Sequence, residues 1–504
     1  MNASWGGLAL VYNARRCNLA PHDYERLLHM FLDRIVTQTR ADLEVRKREN
    51  PLEEVQRQAF EQPAPRDLLK AFEPRSRIHL IAEVKRASPS KGMLAPHIDP
   101  VELARVYEAN GATAISVLTE PHFFLGSPAY LTAIKQAANI PVLRKDFIVD
   151  EYQVYEARAW GADVILLICA LLDDTQLWHL LHVANELGMR SLVEVHTLEE
   201  AKRAIGAGAV VIGVNSRDLV TFQMNPYLIG EIRQIIPKDR VVVAESGIHT
   251  EADARRLARY DVQAMLVGES LVISHDVPAQ MQMLLHGANK SMQVKICGLR
   301  TAEHINTATQ MGADMLGFIF HEPSHRFLAP QQVCSVLQAS DSFMQPPAGQ
   351  CKPDLVGVFV NKEADYINEV VEQVGLQYVQ LHGTETPEFC QQIRRPVIKA
   401  LQIRSEADLQ QIKNYQSVIW RLLLDTPTPN WGGSGETHDW DVARLASQAY
   451  RILLAGGLTS ENAGAAIRQV RPWGVDVSSG VETNKQKDSE KIRAFIRKVR
   501  AWDA

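Results

Sequence analysis

The residues of this chain best suited to chemistry stand at the ends of short apolar runs. Glu83, Lys85 and Arg86 crowd the end of IAEVKR, and SPSKG turns the chain away at once. Charge at the end of a buried strand is costly unless it pairs or meets a ligand. Taken alone, Glu83 and Lys85 read equally well as a structural ion pair. The pattern repeats, however, with Lys145 and Asp146 in PVLRKDF, Glu194 in SLVEVH, Asn215 and Arg217 in GVNSRD, and Glu245 and Ser246 in VAESG. Charges at the ends of five strands converge on one cavity, which is the arrangement of a catalytic cluster. ESG (245–247) and VGES (267–270) add small residues whose backbone N–H groups can approach an anion.

The second half carries a different set. Cys297 ends VKICG and Asp425 ends LLLDT, a base and an acid suited to an isomerisation. A lone cysteine is more often a small buried hydrophobe. A thiol of ordinary pKa, about 8.5, also needs help to ionise at neutral pH. Arg326 follows the second strand of this half, and Gln380 and His382 end the fourth. AGG (455–457) and SSG (478–480) repeat the small-residue endings. GGSGET (432–437) lacks the GK[ST] ending of a Walker A loop.

These residues need a scaffold, and the rhythm of the chain supplies it. Apolar runs at 78–86, 114–120, 141–147, 163–169, 191–196, 209–218, 240–247 and 264–270 alternate with helical patterns, several closed by Gly. Eight more follow at 293–298, 315–320, 354–360, 378–383, 396–401, 418–426, 451–457 and 474–480. Alternation of this kind predicts parallel strands, and eight strands close a barrel whose site lies at the strand C-termini. The fold class is therefore α/β, two tandem (β/α)8 barrels. An amphipathic helix over 23–49 extends the first. Domains are expected at 22–287 and 291–504, joined by the polar HGANKS (286–291), a link short enough to predict a monomer with its barrels in contact. Residues 1–21 read as a disordered extension, or as lying upstream of a start at Met30. The segment 340–354, with its Pro and Gly, reads as a surface loop.

Composition excludes several classes. At 504 residues the chain has 46% hydrophobic and 22% charged residues and a net charge of −5, with no basic stripe for nucleic acid. Six cysteines without a CxxC pair suggest neither a disulfide framework nor a zinc site and fit a reducing cytosol. No run approaches the roughly 18 apolar residues of a membrane span.

IAEVKRASPSKG, TEPHFFLGS, PVLRKDFIVDEYQV, LVEVHT, GVNSRDL and VAESGI resemble indole-3-glycerol-phosphate synthase over about residues 25–275. The resemblance implies decarboxylative ring closure of 1-(2-carboxyphenylamino)-1-deoxyribulose 5-phosphate. It makes Lys145 the general acid and Glu194 the base or acid of the later dehydration, with Glu83 and Lys85 shaping the site. Asn215, Arg217, Glu245 and Ser246 would hold substrate, and Ser88, Gly247, Gly268 and Glu269 would line the phosphate side. A lysine flanked by other cations is expected to have its pKa lowered toward neutrality. VKICGL, GFIF, SHR, VQLHG, LLLDT and VDVSSGVE resemble phosphoribosylanthranilate isomerase over about 292–500. That resemblance implies an Amadori rearrangement with Cys297 as general base, Asp425 as general acid and Arg326 on the anthranilate side. Gln380, His382, Gly456, Gly457, Ser479 and Gly480 would complete its substrate site. His438 stands where that family has Phe, and Lys485 where it has Gly. Neither reaction requires a metal or organic cofactor, and the substrates are small phosphorylated molecules. Two rivals remain at this level: an aldolase-like enzyme using a Schiff base on Lys85 or Lys145, and a barrel kept only as a binding scaffold.

Overall fold

The computed structural model describes residues 21–73, 77–88, 91–217, 224–225, 228–288, 292–347, 352–403, 405–425 and 440–502, with side chains from residue 32 onward. The expected extension over 1–21 lies, apart from residue 21, outside the described residues, as does His438. The chain divides into two compact units, Met1–Lys290 and Ser291–Ala504.

In the first unit β1 (His79–Val84), β2 (Ala114–Leu118), β3 (Val142–Lys145), β4 (Val164–Ile168), β5 (Arg190–Val195), β6 (Val211–Asn215), β7 (Val241–Glu245) and β8 (Ala264–Val267) form a closed parallel barrel. Closure is made by β1, which pairs with both β2 and β8. Side chains alternate between faces along each strand. Ile81, Leu143, Leu192 and Val243 belong to one buried cluster. The residues two positions on, Glu83, Lys145, Glu194 and Glu245, therefore face the same way, above that apolar floor.

Helix Pro21–Glu49 is tied back onto the barrel at its C-terminal half. Arg46 pairs with Glu156 at 2.8 Å, Lys47 with Asp150 at 2.8 Å, and the Tyr152 hydroxyl donates to the carbonyls of Arg46 and Asn50. Leu43 packs with Val55 and Tyr152 beneath these contacts. So anchored, the helix carries Leu32 and Ile35 to the interior cluster at the strand ends.

The second unit repeats the plan with β9 (Gln293–Cys297), β10 (Met315–Ile319), β11 (Asp354–Phe359), β12 (Tyr378–Leu381), β13 (Val397–Gln402), β14 (Arg421–Asp425), β15 (Ile452–Leu454) and β16 (Gly474–Val477), again closed and parallel. Its largest apolar cluster lies between strands and helices and includes Val294, Ile296, Phe318, Leu355 and Phe359. The alternate positions of β9, Gln293, Lys295 and Cys297, face the lumen.

Two local expectations change. Residues 286–288 are the last turn of helix Val277–Ala288, because the apolar positions Met281 and Leu284 continue the buried stripe up to Ala288. Within 340–354, Asp341–Met344 is a helical turn that buries Phe343, and Asp354 already starts β11, so this segment is more than a surface loop. Among the described residues no helix is long and apolar enough to cross a membrane.

Phe359 is fully buried, with Phe320 stacked on it at 5.0 Å and Tyr366 edge-on at 6.5 Å. Phe359→Ala should destabilise the protein by about 3–5 kcal/mol, read as a lower urea midpoint. A cost under about 1 kcal/mol would mean that this side of the core is not close-packed.

Candidate active sites

At the C-terminal ends of β1–β8 lies a cavity of about 200 Å³. Glu83, Lys85, Ser88, Lys145, Asp146, Glu194, Asn215, Arg217, Glu245, Ser246, Gly247, Gly268 and Glu269 all line it, whereas Arg86 turns away to the Tyr130 hydroxyl and the Pro96 carbonyl. Its other wall is apolar: Leu32, Ile35, Leu118, Phe124, Phe147, Leu166 and Ile168. The sequence reading missed that wall, because an apolar residue at a strand end looks like any core residue. Phe124 is fixed by Glu120, whose buried carboxylate accepts the backbone N–H groups of His122, Phe123 and Phe124.

Lys145 Nζ stands between two carboxylates, 2.8 Å from Glu245 and 3.1 Å from Glu194. Burial alone would disfavour its charge, but Glu194, Glu245 and Glu83 outweigh burial and raise its proton affinity. The expected lowering by neighbouring cations is therefore overturned: Lys145 is flanked by carboxylates and is held as an ammonium. Burial, with Glu194 beside it, pushes the Glu245 carboxyl up to about 8 against the pull of Lys145. Burial also opposes the Glu194 charge, yet Lys145 and His196 hold that carboxylate well below its ordinary value. Of the two, Glu245 is thus the readier to hold a proton and Glu194 the readier to be ionised, as expected of like charges this close. His196 lies 3.2 Å from Glu194 and 3.3 Å from Glu200; those two partners overcome burial and raise the imidazole to about 9. Lys85 pairs with Glu83 at 2.8 Å, and with Lys145 it holds that carboxyl below its usual range in spite of burial.

Space for these groups comes from glycine. A Cβ on Gly213 would collide with the Glu245 carboxylate, and one on Gly268 with Glu83. Behind the cluster, the buried Arg144 holds Asp146 at 2.9 Å, and Asp146 accepts from Thr119 at 2.5 Å, which braces the end of β3 next to Lys145. At the rim, Lys91 from the loop after β1 reaches Glu269 at 2.5 Å. Ser246 and Gly247 take consecutive left-handed conformations, φ 65° and 69°, so the chain turns sharply out of β7. Among the described residues, Ser88 Oγ is buried without a hydrogen-bond partner, and Ser88 lines the cavity. Buried polar atoms of that kind are ready to receive a ligand.

The second barrel opens into a cavity of about 490 Å³ lined by Cys297, Arg326, Gln380, His382, Asp425, Gly456, Gly457, Ser479 and Gly480. All nine residues singled out for this half are present. Asp425 lies 3.3 Å from His382 Nε2, whose Nδ1 meets Gln380 at 2.9 Å. Arg326 is engaged by Glu482, with Nε at 2.7 Å and Nη2 at 2.8 Å, and Lys487 reaches the same carboxylate at 2.7 Å. Burial opposes that charge, but the two cations hold Glu482 down at about 2. Glu482, Lys487, Lys295 and Asp476 escaped the sequence reading. A lysine inside VKIC and an aspartate inside GVDV were available signals, since neither suits a buried strand. Lys485 sits in a left-handed turn, φ 61°, between the short strands Glu482–Thr483 and Gln486–Lys487, a conformation that favours glycine. Burial pushes the Cys297 thiol up, against the ammonium of Lys295. Among the described residues no group of His, Cys, Asp and Glu is arranged to hold a metal ion.

Comparison with known proteins bears on both halves. The family model described as indole-3-glycerol phosphate synthase matches residues 32–284, and that described as N-(5'phosphoribosyl)anthranilate (PRA) isomerase matches 294–498. A multifunctional tryptophan biosynthesis protein of Phycomyces blakesleeanus is 37% identical over 482 residues, 84% of this chain and 62% of that protein. The chain thus spans less than two thirds of that relative. An indole-3-glycerol phosphate synthase of Dehalococcoides mccartyi is 48% identical over 260 residues, 51% of this chain and 100% of that protein. The crystal structure of a phosphoribosyl anthranilate isomerase from Thermotoga maritima is 39% identical, covers 42% of this chain and 99% of that one, and has a TM-score of 0.38.

The raised pKa of Glu245 carries a stability prediction. A carboxyl whose folded pKa lies above its ordinary 4.5 contributes stability that is complete below 4.5 and lost as pH rises through about 8. Glu245→Gln should therefore flatten the fall in unfolding free energy between about pH 5 and about pH 8, measured by urea titration. Equal slopes for both proteins would show that Glu245 ionises normally.

Proposed function

The chain belongs to the indole-3-glycerol phosphate synthase family in its first barrel and to the N-(5'-phosphoribosyl)anthranilate isomerase family in its second, and on that premise we propose that it catalyses two consecutive steps of tryptophan biosynthesis. The second barrel converts N-(5-phosphoribosyl)anthranilate to 1-(2-carboxyphenylamino)-1-deoxyribulose 5-phosphate. The first closes that product to indole-3-glycerol phosphate with loss of CO2 and water. The substrates are small phosphorylated anthranilate–ribose compounds.

The observation that carries the synthase reading is Lys145 held between Glu194 and Glu245 beneath an apolar wall. The wall accepts the aromatic ring of the substrate, and the ammonium faces the ribulosyl carbonyl. As the ring carbon attacks, negative charge grows on the carbonyl oxygen. An alkoxide is more basic than an amine, so the proton passes from Lys145 to oxygen even though the neighbouring carboxylates hold it firmly on Lys145. CO2 then leaves the ring carbon and its bonding pair restores the benzene ring; the hydroxyl departs as water with a proton drawn from solvent, and Glu194 takes the proton lost from the adjacent CH2 carbon, which completes the indole. Asn215, which donates to Glu194 at 3.2 Å, and Arg217 hold the substrate. The small residues after β7 and β8 receive its phosphate. A Schiff-base route on Lys145 needs a free amine, which the three carboxylates disfavour.

In the second barrel Asp425 protonates the furanose ring oxygen and opens the sugar to an iminium. Cys297 then removes the C2 proton, and the resulting enaminol tautomerises to the ketone. Asp425 and Cys297 line the same cavity, which suits two proton transfers at neighbouring atoms. Gly456, Gly457, Ser479 and Gly480 take the phosphate.

Lys145→Ala should reduce indole-3-glycerol phosphate formation at least about 100-fold and leave the isomerase rate nearly intact. Cys297→Ala and Asp425→Ala should do the converse. Steady-state assays of each reaction on the full chain decide, and a parallel fall of both activities in a folded variant would refute two separate sites.

Two domains, 22–287 and 291–504, follow from the same reading. Expressed as pieces 22–288 and 291–504, cut after helix Val277–Ala288, each should unfold cooperatively and retain its own activity. A soluble, cooperative, inactive piece would mean that its site borrows residues from the other half.

A further inference from the structure

The lumen of the second barrel holds a charged pair that the acid–base assignment leaves unused. Lys295 is fully buried, and its Nζ lies 3.0 Å from Oδ1 of Asp476 on the adjacent strand β16. It stands two residues before Cys297 on β9, and residues at that spacing share a face. Gly317 on β10 marks how near the two side chains come: a Cβ there would lie 2.9 Å from Cys297 Sγ and 3.2 Å from Lys295 Nζ. An ion pair buried for structure alone can usually be replaced by apolar side chains at little cost, so one beside a reactive sulfur calls for another role.

We propose that Lys295, fixed by Asp476, is a positioning residue of the isomerase that stabilises the Cys297 thiolate facing the substrate. The proposal rests on the isomerase reading of this barrel. The thiol releases its proton to solvent, leaving a thiolate–ammonium pair against the Asp476 carboxylate. During turnover the sulfur takes the C2 proton of the substrate and becomes a thiol again, and Lys295 keeps its own proton throughout. Asp476 and the sulfur together outweigh burial and keep Lys295 charged. Several other charges surround the sulfur. Asp476 faces it from β16, Lys487 from the ribbon after β16 and Arg326 from the loop after β10. Lys487 and Arg326 are both drawn to Glu482, and Asp425 and His382 pair with each other elsewhere in the cavity wall. Lys295 is the cation placed directly beside the thiol, and after burial it is the largest influence on the sulfur.

The test measures the pH dependence of Cys297 alkylation by iodoacetamide in the full chain, with the modified peptide quantified by mass spectrometry. Lys295→Met should move the midpoint up by at least about one pH unit, a tenfold slower alkylation below it, as expected for loss of an opposite charge within about 4–6 Å. The acid limb of the isomerase kcat/KM profile should move with it, and Lys295→Arg should restore part of both. If Lys295→Met fails to fold because Asp476 is left bare, the paired variant Lys295→Met with Asp476→Asn removes both charges and should still raise the midpoint. An unchanged or lowered midpoint in whichever variant folds overturns the proposal. The isomerase reading fails separately, if Cys297→Ala keeps full isomerase activity; the alkylation midpoints still judge the pairing in that case.

Discussion

Ionised side chains below the rim of a closed barrel have little water, and each must find its counter-charge among neighbours that face the same lumen. Lys145, Glu194 and Glu245 meet this constraint together. One ammonium can neutralise one carboxylate, so the second carboxyl favours its proton; both are buried, and it is His196 beside Glu194 that leaves Glu245 as the one to keep it. The arrangement of the surrounding strands follows from that need. Gly213 has no side chain because Glu245 occupies its space, and Gly268 leaves the same room for Glu83. Arg144 draws Asp146 to the side and so leaves Lys145 to Glu83, Glu194 and Glu245.

The second barrel answers the same constraint with different partners. Inside it Lys295 and Asp476 neutralise each other, and at the rim Glu482 is shared by Arg326 and Lys487. A further pair, Lys399 and Glu385 at 2.8 Å, lies between wall and helices, where Lys399 also donates to the Gly383 carbonyl and Glu385 accepts from the Gly383 N–H. That pair fixes the turn after β12 and with it His382, the neighbour of Asp425. Sulfur is the exception in this barrel, since burial pushes its proton affinity up and the ammonium groups of Lys295 and Lys487 pull against it.

The two apolar environments also differ. Leu32 and Ile35 descend on the first site from a helix outside the barrel, held there by Arg46, Lys47 and the Tyr152 hydroxyl. A desolvated wall strengthens every charge interaction beneath it. The second cavity has fewer apolar neighbours and more backbone around it, as expected where glycines and serines end β15 and β16.

Much of this was fixed by the order of residues alone. Sixteen apolar runs separated by amphipathic ones specify two eight-stranded barrels, because strand and helix periods are local properties. The residues that line the two cavities were legible for the same reason: Glu83, Lys145, Glu194, Glu245, Cys297 and Asp425 stand at run ends, where a buried charge or thiol is out of keeping with its neighbours. What the chain could not declare was who meets whom. That Lys145 is flanked by carboxylates rather than cations depends on β5 and β7 closing around β3, separations of 49 and 100 residues. Glu482 and Arg326 are 156 residues apart, and Lys295 and Asp476 are 181. Periodicity encodes which face a side chain takes, but only barrel closure decides which charges share that face, and charge state follows from that company.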